Sequence, residues 1–103
     1  MAGLDCGEVS LIAWQILSSG AAAFATVPDD VVAPSMRLLA TLPDTPIVAG
    51  ESAIAGFAAL LIAAGEVSIR KALSIDDSSR VLVFGTEGST DPNIYDSLTK
   101  ELE

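Results

Sequence analysis

The feature that most constrains this chain is a block of about 12 residues, 53–64, without a polar side chain. It follows Gly50-Glu51-Ser52 and stops at Gly65. A membrane span needs roughly 20 apolar residues, so the block reads as a helix over residues 51–64. Helices apolar nearly all round are buried on several sides. Its Ala55, Gly56, Ala58 and Ala59 are small enough to let another element approach closely. Residues 11–18 form a second helix, apolar over most of its circumference, capped by Ser10 and followed by Gly20.

Two nearly all-apolar helices demand cover, and 103 residues offer little. Half the residues are apolar and only 18% are charged, against a usual charged fraction of about 25%. Small chains have more surface per volume and need more polar coverage, not less. Part of the apolar surface is therefore expected to lie against something outside the chain.

Charge removes several functions. The formal net charge is −9, and the five basic residues are scattered, whereas a phosphate backbone calls for clustered Lys and Arg. Neither nucleic acid nor a membrane is expected as a partner. With one cysteine and no histidine, there is no internal disulfide, no Cys/His zinc cluster and no Ser-His-Asp triad. No metal site is expected, and a reducing, cytoplasmic setting is.

Along the rest of the chain, residues 22–27 read as a short strand on the strength of Phe24, Thr26 and Val27. Asp29 and Asp30 suit the first turn of a helix that carries Val32, Met36 and Leu39 on one face, with Pro34 either within its first turn or at a distorted entry. Residues 47–50 read as extended and 67–73 as a short helix. Residues 81–84, Val-Leu-Val-Phe, form a continuous apolar run, as in a strand buried on both faces of a parallel sheet. Asp91 is a good N-cap and Pro92 a good first residue for a last helix. Strands alternating with helices predict an α/β architecture: an α/β/α layering around a short, mostly parallel sheet.

The loop from Gly85 to Pro92 follows a strand and precedes a helix, where open α/β sheets place ligands. Its lack of a Gly-Lys-Ser/Thr step excludes a P-loop. On residue chemistry alone it is either a ligand loop or a Gly-rich turn whose hydroxyls cap the helix. Glu51 is either a site carboxylate or a solvated acid favoured by a helix N-terminus. Cys6 reads as a small packed residue rather than a nucleophile.

Three segments carry a resemblance. Thr86-Glu87-Gly88-Ser89-Thr90-Asp91-Pro92 is similar to the closing motif of diaminopropionate ammonia-lyases. More widely, it resembles the hydroxyl-bearing loops of threonine dehydratases and serine racemases. Gly50-Glu51-Ser52-Ala53 resembles the segment that opens a helix beside the cofactor in that superfamily. Ala2-Gly3-Leu4-Asp5-Cys6-Gly7-Glu8 resembles the ammonia-lyase pattern, and its Ala-Gly-Leu-Asp resembles tryptophan synthase β chains.

The resemblance implies a pyridoxal-phosphate (PLP) lyase of the tryptophan synthase β-like fold, with residues 1–101 as the C-terminal portion of its large domain and Leu102-Glu103 as a cloning remnant. It implies Thr86 at the pyridine nitrogen of PLP, Glu51 beside the ring and Asp5 facing the substrate. A neutral hydroxyl at that nitrogen leaves the ring largely unprotonated and moderates its electron withdrawal. The neighbouring Glu87 is a carboxylate that could compete for the same nitrogen. The reaction implied is β-elimination of ammonia from diaminopropionate, giving pyruvate and ammonia.

The family's Schiff-base lysine and glycine-rich phosphate loop have no counterpart here. Lys71 and Lys100 read as solvated surface residues, so no catalytic residue is assigned. The chain alone is expected to be inactive and to bind no PLP. The expected partners are the remainder of a parent enzyme, a small amino-acid substrate and further copies in a homodimer. A threonine or serine dehydratase-like enzyme, and a non-catalytic interaction module, are the alternatives.

Overall fold

The computed structural model describes residues 1–100; the reading of Leu102-Glu103 as a cloning remnant lies outside the described residues. Five α-helices are present: α1 (Leu11–Gly20), α2 (Val32–Ala40), α3 (Ala55–Gly65), α4 (Val67–Leu73) and α5 (Pro92–Thr99). Short 3-10 turns cover Ala2–Leu4 and Asp29–Val31.

The helix ends follow local chemistry. Ser10 Oγ accepts the Ala13 N–H at 3.3 Å, which caps α1 as expected. Asp29 and Asp30 enter through a 3-10 turn before α2 begins, and Pro34 is the third residue of α2, where its missing N–H has no carbonyl to serve. Asp91 Oδ1 accepts the Asn93 and Ile94 N–H groups, each at 3.1 Å, and Pro92 follows as the first residue of α5. Helix α4 spans residues 67–73 as read from the sequence and ends on Ser74 in the left-handed region, at φ 55°. The apolar block differs at its start: a hydrogen-bonded turn occupies residues 51–54 and α3 proper begins at Ala55.

Helix α2 is the centre of the packing. It lies against α5 on one side and α3 on another, while α3 also packs on α4. Val32, Met36 and Ile54 form the core, and Leu39, Phe57, Tyr95 and Leu98 close around it. Arg37 ties α2 to the end of α5 by donating from Nη1 to the Leu98 carbonyl at 2.9 Å.

The expected α/β/α layering is not formed. Among the described residues there is no strand and hence no sheet. Residues 22–27, 47–50 and 81–84 lie outside the helices, yet no ladder joins them. Ile47 N–H turns to the Leu39 carbonyl at the end of α2, and Gly50 N–H to the Glu87 carbonyl. The run 81–84 is not buried on both faces either: Leu82 is 78% and Phe84 80% exposed. Val83 alone turns inward, against Gly56, where a Cβ would approach its Cγ1 to 2.7 Å. The apolar pattern reports what these side chains prefer as neighbours. A strand also needs a second extended backbone alongside, and the pattern is silent on that.

The small core leaves much surface. A folded monomer of 10.5 kDa is expected to expose about 5,400 Å², and this chain exposes 7927 Å². Its radius of gyration is 15.0 Å, against about 13 Å for a compact domain of this length. Large apolar side chains contribute to it: α1 alone presents Leu11, Ile12 and Ile16, each about two-thirds exposed or more. Among the described residues no helix is long and apolar enough to cross a membrane.

Candidate functional site

Residues from the three resemblance segments, far apart in sequence, meet at the start of the turn 51–54. Gly3 N–H donates to Ser52 Oγ at 3.0 Å. Ser52 N–H and Ala53 N–H donate to Glu87 Oε1 at 2.9 and 3.3 Å. Gly50 N–H donates to the Glu87 carbonyl at 3.0 Å. Ser52 therefore receives the N-terminal segment through its hydroxyl and the loop 85–91 through its amide.

Glu87 holds this arrangement together. Its carboxylate takes two of the N–H groups that a helical turn leaves without intrahelical partners, and its negative charge suits the positive end of that turn. The approach is so close that a Cβ on Gly50 would collide with the Glu87 carboxylate and the Gly88 carbonyl. Sequence reasoning misses this role. It gives Glu87 only as a rival to Thr86 for a ring nitrogen, and no local signal connects two positions 35 residues apart.

The residues expected at the site are placed as follows. Thr86 is exposed, one position before Glu87. Glu51 is half-buried, with Oε2 at 3.9 Å from the Met1 amino group, and borders a hollow closed by Met36, Glu87, Asp91 and Tyr95. Asp5 is exposed at the end of the 3-10 turn Ala2–Leu4, with its own N–H bonded to the Ala2 carbonyl. Lys71, on α4, and Lys100, after α5, are exposed. Cys6 is exposed rather than packed.

The hollow beside Glu51 has a volume of about 40 Å³. One water needs about 10–15 Å³ on this measure, so the space suits a few waters and does not enclose a pyridine ring. Thr86 presents a neutral, exposed hydroxyl beside a carboxylate whose Oε1 is engaged by the Ser52 and Ala53 amides. That chemistry fits an unprotonated pyridine nitrogen.

No family model matches the chain, and no solved structure matches it. Full-length relatives do. The diaminopropionate ammonia-lyase of Salmonella typhimurium is 35% identical over 104 residues, which cover 95% of this chain and 26% of that protein. The diaminopropionate ammonia-lyase of Escherichia coli is 37% identical over 100 residues, covering 92% and 25%. This chain is similar to one quarter of a diaminopropionate ammonia-lyase. The resemblance read from three short segments thus extends over nearly the whole sequence. The chain spans about a quarter of the length of the curated relatives it matches.

Proposed function

We propose that this chain supplies the ring-nitrogen side of the cofactor site in a PLP-dependent lyase that eliminates ammonia from diaminopropionate, and that residues 1–101 are the C-terminal portion of that enzyme's large domain. The reading is carried by one observation: the segments matching the lyase pattern are joined by the Gly3–Ser52–Glu87 hydrogen bonds, with Thr86 left exposed beside them. Bound PLP supplies the electron sink for loss of the β-amino group. Thr86 holds the pyridine nitrogen through its hydroxyl. Glu87 is turned toward the start of the turn 51–54, where its Oε1 accepts from the Ser52 and Ala53 amides, and so leaves the ring nitrogen to Thr86. Glu51 places a carboxylate beside the ring, and Asp5 faces the amino-acid substrate. The Schiff-base lysine comes from the remainder of the enzyme, which is a cytoplasmic homo-oligomer.

The test is a graft of these 103 residues in place of the matching quarter of the Salmonella enzyme. The graft is expected to bind PLP and release pyruvate from diaminopropionate, whereas the 103-residue chain alone releases none. Thr86→Ala in the graft weakens cofactor retention and slows turnover, since a lost hydrogen bond costs about 0.5–1.5 kcal/mol. A Thr86→Ala graft with unchanged cofactor spectrum and rate, or pyruvate release by the chain alone, refutes the reading.

A further inference from the structure

Residues 2–9 are exposed throughout, so little packing fixes where Asp5 sits. Among the described residues, one hydrogen bond ties residues 1–9 to the rest of the chain, from Gly3 N–H to Ser52 Oγ at 3.0 Å. That bond carries Asp5 with it, because Leu4 N–H and Asp5 N–H close a 3-10 turn on the Met1 and Ala2 carbonyls, each at 3.1 Å. The fit is close: a Cβ on Gly3 would stand 2.9 Å from Ser52 Oγ. The other end of the tether is rigid. Ile54 N–H donates to the Gly50 carbonyl across the turn at 3.2 Å, and the Ile54 side chain is wholly buried in the core. The Ser52 amide meanwhile holds Glu87, the chain neighbour of Thr86.

We infer that Ser52 is a positioning residue that fixes the substrate side of the site relative to its cofactor side, an inference that rests on the lyase reading above. Its backbone amide holds the loop carrying Thr86, and its hydroxyl holds the turn carrying Asp5. The two attachments are chemically separable. Ser52→Ala deletes the hydroxyl and keeps the N–H, so Glu87 and Thr86 stay in place while Asp5 loses its tether. Gly3→Ala reaches the same result from the other side, because the added Cβ must displace Ser52 Oγ or move the turn. An exposed turn freed from its one tether samples other positions, and ordering Asp5 again opposes substrate binding. Contacts to the ring nitrogen, which tune the cofactor's electronics, are left as they were.

The graft of these 103 residues into the Salmonella enzyme tests the inference. Ser52→Ala and Gly3→Ala should each raise KM for diaminopropionate about three- to tenfold, as loss of one hydrogen bond in binding does. The kcat and the absorbance of bound PLP should stay at the graft's own values, in contrast to Thr86→Ala. In a graft already carrying Asp5→Ala, Ser52→Ala should raise KM no further, since it acts through Asp5. In the 103-residue chain by itself, Ser52→Ala should quicken amide exchange at Gly3 by a similar factor and leave Gly50, bonded to the Glu87 carbonyl, unchanged. An active graft in which either variant leaves KM unchanged, lowers kcat with a changed cofactor spectrum, or adds its full effect to Asp5→Ala overturns this inference alone. Unchanged exchange at Gly3 does the same. A graft that releases no pyruvate overturns the lyase reading, and the substrate role of Ser52 with it.

Discussion

Replacing Glu87 by Ala removes the acceptor of two backbone N–H groups at the turn that leads into α3. Each such bond contributes about 0.5–1.5 kcal/mol net, so the loss is on the order of 2 kcal/mol. In a domain of this size 1 kcal/mol shifts Tm by about 4–8 °C, which places the Ala variant roughly 10 °C below wild type. Glu87→Gln separates the contributions. The amide oxygen still accepts from Ser52 and Ala53, and only the interaction of the charge with the turn's dipole is lost, about 0.3–1 kcal/mol. Thermal melts followed by far-ultraviolet circular dichroism at neutral pH should rank wild type above Gln and Gln above Ala. Glu87 Oε1 is 2.9 Å from Ser52 N, so a Gln with its oxygen in that position needs no backbone movement. If the Ala variant melts with the wild type, or Gln melts as low as Ala, Glu87 is not the capping group and the joining of the three segments needs another cause.

Three further outcomes follow from helix ends and one turn. Asp91→Ala should cost about 0.5–2 kcal/mol in a urea titration, with the loss confined to α5, while Asp91→Asn retains most of the stability. Ser74→Gly should raise Tm, because Ser74 ends α4 at φ 55°, a conformation that costs an L residue about 1–2 kcal/mol and glycine almost nothing; an unchanged or lower Tm contradicts this. Hydrogen bonds from the Ser78 hydroxyl and amide, with a further contribution from Ser79, hold the Asp76 carboxyl below its ordinary value. A depressed carboxyl stabilises the turn at pH above the unfolded value, and that contribution is lost as the pH falls through the folded one. An NMR titration should find the Asp76 carboxyl below the ordinary aspartate value, and Ser78→Ala should bring it back up.

The capped helix starts were legible because each depends on a few adjacent residues, whereas α1 runs on through Gly20 and α3 begins at Ala55 rather than at 51. Ser10, Asp91-Pro92 and the first-turn position of Pro34 all behave as their local chemistry dictates. The family was legible because short segments keep their wording. The sheet was not legible, since Val81-Leu82-Val83-Phe84 has the composition of a buried strand and the structure sets no second strand beside it. The meeting of the three segments could not be read from the sequence. Thr86, Glu51 and Asp5 belong to segments that converge through Ser52, yet the group that joins them, Glu87, acts through a contact of long sequence separation that no window of neighbouring residues contains.

The indole of Trp14 gives the molecule a built-in optical reporter. It is the single tryptophan of the chain, half exposed on the otherwise solvated α1 and leaning on Phe24. An indole in that position emits at long wavelength and is open to quenching by iodide. Anything that covers α1 shifts the emission to the blue and protects it from the quencher, so intrinsic fluorescence follows the occupancy of this face without a label. The core around Met36 and Ile54 contains no tryptophan, so the signal comes from the surface of α1 and not from the centre of the fold.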